Sequence, residues 1–166
     1  MPKVSVMMAV YNMEKNVHIL KKAVASILNQ TYQDWELIIC DDGSTDHTLQ
    51  ILRQISSEDE RLHIISCSNN HGAGYARNMC MRIARGKYLA VMDADDISKP
   101  QRLKKQACFL DSHPQYALVG CNASMIDSCG VWGERILEEK PDKKDFLSTL
   151  PFVHPSIMIR KEVAYK

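Results

Sequence analysis

The 166-residue sequence predicts an α/β protein: a mostly parallel central sheet with helices on both faces. Three observations predict it. The hydrophobic pattern switches repeatedly between short, nearly unbroken apolar runs and apolar stripes at helical spacing. The runs are apolar at consecutive positions, so both sheet faces must be covered, which is the habit of parallel strands joined by crossover helices. With 45% of residues hydrophobic and 25% charged, the chain can also bury the core that such a sheet needs.

The elements follow in order. Val4 to Val10 is a buried strand, and after Asn12 the residues Val17, Leu20, Val24, Ile27 and Leu28 share one helical face. Trp35 to Cys40 is a second strand, broken by Asp41-Asp42-Gly43-Ser44; Ser44 or Thr45 is placed to N-cap a helix carrying Leu49, Leu52 and Ile55. Leu62 to Ser66 is a third strand. Gly72 to Arg85 spaces Ala76, Met79, Cys80 and Ile83 as a helix that Gly86 would stop. Tyr88 to Met92 is a fourth strand and runs into Asp93-Ala94-Asp95-Asp96. Ser98 and Gln101 form a capping box, with Pro100 in the first turn, for a helix bearing Leu103, Ala107 and Leu110. Tyr116 to Cys121 reads as a fifth strand. The pattern weakens from Ala123 through the charged stretch Glu138 to Asp145, before Ser156 to Arg160 offers another strand. No repeat, linker or low-complexity tract interrupts it. The chain ends at Ala164-Tyr165-Lys166 as a new element begins, so residues 1–166 read as a single domain cut at its C-terminus.

Composition narrows the function classes. Lys and Arg number 21 against 20 Asp and Glu, a formal net charge of +1, which offers no basic surplus to displace counterions from nucleic acid. No apolar run approaches the roughly 20 residues of a membrane-spanning helix. The N-terminus Met-Pro-Lys-Val-Ser-Val leads into a run of strand length and not into a secretory signal, so a cytoplasmic location is expected. The six cysteines show no Cys-x-x-Cys spacing and read as reduced, buried small hydrophobes.

In an open parallel sheet, ligands bind beyond the carboxyl ends of the strands. Those ends carry Tyr11-Asn12, Asp41-Asp42-Gly43-Ser44, Asn69-Asn70-His71-Gly72-Ala73-Gly74 and Asp93-Ala94-Asp95-Asp96. Five carboxylates thus converge on one edge. A pair about 4 Å apart repels by about 1 kcal/mol in water and about 4 kcal/mol at the effective dielectric of a protein surface, so the cluster calls for a cation or shifted pKa values. Asp93 and Asp95 stand two apart, which in extended chain puts both on one side. Hard oxygen donors open to solvent suit Mg²⁺ or Mn²⁺ completed by water and phosphate, and not zinc. A plain polar turn and helix cap is the competing reading for both acidic stretches. Gly72-Ala73-Gly74 is not a dinucleotide fingerprint, because its glycines do not follow the first strand and position 77 is Arg. The glycines instead allow close approach where Arg77 enters as a candidate diphosphate partner, with a solvated Arg77 as the alternative. His154 lacks a base or nucleophile partner in sequence and reads as structural.

Taken together, Val4 to Asn12, Glu36 to Asp46, Ala76-Arg77-Asn78, Gly86-Lys87-Tyr88 and Asp93 to Asp96 resemble family 2 glycosyltransferases of the GT-A (Rossmann-like) fold, in order and across nearly the whole chain. The resemblance implies an inverting transferase that uses a nucleotide-diphospho-sugar, usually a UDP-sugar, with Mn²⁺ or Mg²⁺. It implies that Tyr11 and Asp42 hold the nucleobase, that Arg77 lies near the nucleotide, that Asp93 contacts ribose or metal and that Asp95 binds the metal bridging the diphosphate. Val10, Asp41 and Ala94 join the donor-binding positions, and residue 9 is Ala where some relatives carry Thr. The acceptor is a saccharide or lipid-linked glycan of surface polysaccharide synthesis, at the cytoplasmic face of a membrane; a homodimer stays open. No catalytic residue is assigned, since the family's general base is expected beyond Lys166, and the chain is expected to bind nucleotide while transferring sugar poorly. Two other readings compete. A nucleotidyltransferase that makes sugar nucleotides should carry a Gly-rich, basic loop after the first strand, where Tyr11-Asn12-Met13 stands. A non-catalytic nucleotide-binding module differs from an enzyme only in turnover. An aspartate-nucleophile phosphatase would carry its Asp-x-Asp after the first strand and not the fourth.

Overall fold

The computed structural model describes residues 1–142, 144–145 and 150–165. Its strands are β1 (Val4–Val10), β2 (Trp35–Asp41), β3 (Leu62–Ser66), β4 (Tyr88–Asp93), β5 (Leu118–Val119), β6 (Ala123–Asp127), β7 (Gly130–Arg135) and β8 (Met158–Arg160). Its helices are α1 (Val17–Leu28), α2 (Thr48–Ser56), α3 (Ala73–Ile83), α4 (Arg102–Ser112) and the short α5 (Lys161–Ala164). The main sheet runs β3-β2-β1-β4-β8-β5, parallel from β3 to β4, with β8 antiparallel to both β4 and β5.

The strand alternation of period two divides the core. Val4, Val6, Met8 and Val10 of β1, with Leu37, Ile39, Ala90 and Met92, meet α1, Leu52 of α2 and Leu103, Ala107 and Leu110 of α4. Met7, Ile38, Cys40, Leu89 and Val91 face the other way onto Ala76 and Cys80 of α3. The chain moves outward from β1 through β2 to β3, then returns across β1 to begin β4. That reversal makes the gap between the carboxyl ends of β1 and β4 the crevice where open α/β sheets bind ligands.

Several local expectations give way to tertiary ones. The helix after Pro100 begins at Arg102 and has no side-chain cap from Ser98 or Gln101. Ser98 instead accepts a hydrogen bond from Gln30 Nε2, and Gln30 Oε1 takes the orphan amide of Leu103 at 3.0 Å. Gly86 does not stop α3, which ends at Ile83 with Ala84 extended. It is needed because a Cβ there would lie 2.6 Å from the Ser5 nitrogen. Neither Ser44 nor Thr45 caps α2; Asp46 Oδ1 accepts from the Thr48 amide. The fifth strand shrinks to Leu118–Val119 and the last to Met158–Arg160. The weakly patterned stretch after Ala123 is the β6–β7 hairpin, which has its own two-stranded sheet and leaves Trp132 exposed, so no burial alternation marks it. All six cysteines are free, but Cys108, Cys121 and Cys129 are exposed, against the expectation of buried thiols. His154 is exposed as well.

Arg160 shows why the antiparallel strand is retained. It is buried, and its guanidinium donates to the carbonyls of Tyr116, Leu110 and His113, occupying the negative C-terminal end of α4. Arg160→Met keeps the stem but orphans those carbonyls. It is expected to cost about 2–3 kcal/mol in urea denaturation, and an unchanged midpoint would show that water replaces the donors.

Candidate functional site

Three loops at the crevice are laced together. β1 ends at Val10, whose side chain is core and whose carbonyl accepts from the Asp42 amide at 2.8 Å. Tyr11 follows with 44% exposure, and Asn12 adopts φ +48, a left-handed conformation that Asn tolerates better than most residues. Asn12 N–H donates to Ser44 Oγ at 2.9 Å and its Oδ1 accepts from the Thr45 amide at 2.9 Å. One residue on, the Met13 and Glu14 amides donate to Thr48 Oγ1 and Asp46 Oδ2.

The two aspartates that end β2 part company. Asp41 is buried; Oδ2 accepts from Ser66 Oγ at 3.0 Å while Oδ1 is enclosed without a partner among the described residues. Asp42 reaches into the loop before α3, where its carboxylate accepts from the amides of His71 and Gly72, the latter at 2.7 Å. Gly43, at φ +70, lets this happen: a Cβ would sit 2.4 Å from the Asn69 carbonyl carbon. The loop turns into α3 at Gly72 (φ +89), and neither Gly72 nor Gly74 has an atom within 4 Å of where a Cβ would stand. Room is thus left over the first turn of α3. The rings of His71 and Tyr75 lie 4.6 Å apart at its rim.

The fourth strand end completes the edge. Asp93 is the last residue of β4, and the chain then turns, the Asp96 amide donating to the Asp93 carbonyl at 3.3 Å. Asp95 stands exposed in that turn, so strand alternation is not what relates it to Asp93, contrary to the extended-chain reading; Ala94 is 8% exposed. Arg77, from α3, donates to Asp93 Oδ1 at 2.5 Å, and its Nε is buried without a partner. Desolvation, followed by the charges of Asp93 and Asp95, pushes the Asp96 carboxyl above its usual range, with Arg102 offsetting part of this.

The fold therefore gathers Tyr11, Asp42, Arg77, Asp93 and Asp95 at one crevice, while Val10, Asp41 and Ala94 lie beneath it. Among the described residues no three His, Cys, Asp or Glu side chains are grouped to hold an ion unaided. Asp93 and Asp95 are the carboxylates at the mouth. The lacing by Asn12, Ser44 and Asp46 was not assigned from sequence; an Asn just past a strand, at a position that demands positive φ, was the available signal. After β1 no glycine-rich loop intervenes, only the 3-10 turn Glu14–Asn16.

Comparison with known proteins gives the family and the fold. EpsE of Bacillus subtilis, a putative glycosyltransferase, is 42% identical over 160 residues, 96% of this chain and 56% of the relative. WfgD of Escherichia coli, a UDP-Glc:alpha-D-GlcNAc-diphosphoundecaprenol beta-1,3-glucosyltransferase, is 31% identical over 82% of this chain and 52% of its own length. The chain spans about half the length of the curated relatives it matches. Crystal structures of S. aureus TarS share the fold: the 1–349 form in complex with UDP-GlcNAc superposes with a TM-score of 0.78 at 23% identity, covering 98% of this chain and 46% of that one. The fold is GT-A. The model of "Glycosyl transferase family 2" matches residues 5–166, and the chain belongs to that family.

Proposed function

We propose that the chain forms the donor-binding part of a metal-dependent, inverting glycosyltransferase that takes a sugar from a nucleotide-diphospho-sugar, a UDP-sugar, to a saccharide or lipid-linked acceptor. The observation that carries this reading is that the carboxyl ends of β2, β1 and β4 lie side by side where the strand order reverses, with Asp42 bonded into the loop before α3, Arg77 of α3 bonded to Asp93, and Asp95 exposed in the turn that follows. Family membership and the name of WfgD support a UDP-sugar and a polyprenyl-diphosphate acceptor. With such an acceptor the enzyme would work at the cytoplasmic face of a membrane, in surface polysaccharide or glycan synthesis. No helix among the described residues is long and apolar enough to cross a membrane.

Each residue has a task. Tyr11, half-exposed beside Asp42, offers a face for the base to stack on. Asp42 holds the loop of His71 and Gly72 against the base site. Arg77 offers a planar fork to diphosphate oxygens. Asp93 and Asp95 would hold Mn²⁺ or Mg²⁺, which when bound neutralises the charge that grows on the departing diphosphate. Acceptor deprotonation is not assigned to these groups. Asp41 and Asp42 are buried and Asp93 is ion-paired, so none of the three is placed to take a proton.

Calorimetric titration with UDP, with and without Mn²⁺, tests the reading. Wild-type chain is expected to bind UDP in a metal-dependent manner, and Asp95→Ala to lose the metal-dependent part, a drop of about tenfold or more. Failure of UDP, GDP and dTDP to bind under every condition would remove the donor-site assignment.

A further inference from the structure

Four of the eight arginines, Arg61, Arg85, Arg102 and Arg160, are held at several points. Arg61 is fixed by Asp59 and Gln33, Arg85 by Glu36 and His63, and Arg160 by three carbonyls. Arg77 is different. Among the described residues its guanidinium makes one hydrogen bond, Nη2 to Asp93 Oδ1, and its Nε is buried with no acceptor. It stands at the crevice mouth with its side chain 21% exposed and that of Asp93 31% exposed. Beside it, the first turn of α3 is left open over Gly72 and Gly74. A cation with unused donors is therefore parked on a carboxylate that the donor site needs.

We propose that Arg77 is a positioning residue that switches partners, bonded to Asp93 in the empty site and released to the diphosphate when nucleotide binds. This rests on the donor-site reading above. A carboxylate bonded to a guanidinium is a poor ligand for a divalent ion, because one oxygen is engaged and a second cation would stand next to the first. Diphosphate presents the guanidinium with two anionic oxygens in the planar, bidentate geometry that it favours over a single carboxylate oxygen. Its departure leaves Asp93 free for the metal. Metal and nucleotide then each raise the other's affinity by the same factor, as linkage requires, and the release of Arg77 adds to the coupling that direct contact between metal and diphosphate supplies. An ion without nucleotide would bind weakly, which keeps the site from filling with metal alone.

The test is a set of calorimetric titrations of the 166-residue chain: Mn²⁺ alone, UDP in EDTA, and UDP with saturating Mn²⁺. In the wild type UDP is expected to raise Mn²⁺ affinity by about tenfold or more. Arg77→Gln is expected to bind Mn²⁺ alone about tenfold more tightly than wild type, with the coupling reduced to about threefold or less. Arg77→Lys, which keeps the charge, should retain the weak binding of metal alone. Asp93→Asn provides an independent readout should the Arg77 variants fold poorly: with its guanidinium released, it is expected to bind UDP in EDTA about tenfold more tightly. Unchanged Mn²⁺ affinity and coupling in Arg77→Gln, or UDP affinity in EDTA unchanged in Asp93→Asn, would overturn the switch while leaving the donor site standing. No UDP binding by the wild type under any condition would overturn both.

Discussion

Glu36→Gln is expected to cost the fold about 3 kcal/mol at neutral pH, measured by urea denaturation, because it breaks a buried carboxylate held by three hydrogen bonds and an arginine ion pair. Glu36 opens β2 at the end of the sheet opposite the crevice and its side chain is 2% exposed. Oε1 accepts from Ser5 Oγ at 2.6 Å and the Arg85 amide at 2.7 Å, and Oε2 from Arg85 Nε at 2.8 Å, with Arg85 Nη2 ion-paired to it at 2.7 Å and His63 Nε2 3.5 Å away. Ser5 Oγ in turn accepts from the Gly86 amide at 2.8 Å, so one carboxylate ties β1, β2 and the approach to β4. A glutamine must turn its NH₂ toward some of these donors. Burial alone would raise the Glu36 carboxyl, but the hydrogen bonds from Ser5 and Arg85 outweigh it and the pKa lies below the ordinary 4.5. A folded-state pKa below the unfolded one contributes stability that is complete above about pH 4.5 and is lost as pH falls through the lower folded value. The gap between wild type and Glu36→Gln should therefore narrow below that pH. A gap of constant size down to the acid transition would show that shape, and not charge, is what Glu36 supplies.

Gly43→Ala is expected to damage stability and the donor site together. The added Cβ would meet the Asn69 carbonyl carbon at 2.4 Å and the Asn70 nitrogen at 2.7 Å, both backbone atoms that cannot swing aside, and φ is +70. The loops must part, at a cost of about 2–4 kcal/mol. Parting them withdraws the His71 and Gly72 amides from Asp42, so UDP affinity should fall by about tenfold or more even where the protein stays folded. A Gly43→Ala chain with wild-type melting temperature and UDP affinity would show that the loop before α3 yields freely and that its contact with Asp42 is dispensable.

Much of this was legible along the chain. The apolar runs at Val4 to Val10, Trp35 to Cys40, Leu62 to Ser66 and Tyr88 to Met92 all became parallel strands within a residue of their predicted ends. The stripes of Leu20, Val24 and Ile27, of Leu52 and of Leu103, Ala107 and Leu110 all reached the core. The linked motifs pointed to the family. Legibility failed where burial was weak or where the partner was distant. The β6–β7 hairpin packs little of itself, so it left no alternation to read. Short polar signals such as Ser98 and Gln101 looked like a local cap until Gln30 took the amide instead.

By itself the sequence determined the four parallel strands β1 to β4 and the helices α1 to α4, the face of each that is buried, and the polar residues that end those strands, since all of these follow from hydrophobic period and from neighbours a few positions apart. The tertiary structure alone decided the strand order that makes β1 and β4 adjacent, the antiparallel entry of β8, the cap of α4 by a residue 73 positions away and the bond between Arg77 and Asp93, 16 positions apart. Periodicity records how each residue meets solvent or core, and that is a local property; which two polar groups meet depends on how the packed layers bring distant segments together, and that no stretch of sequence carries alone.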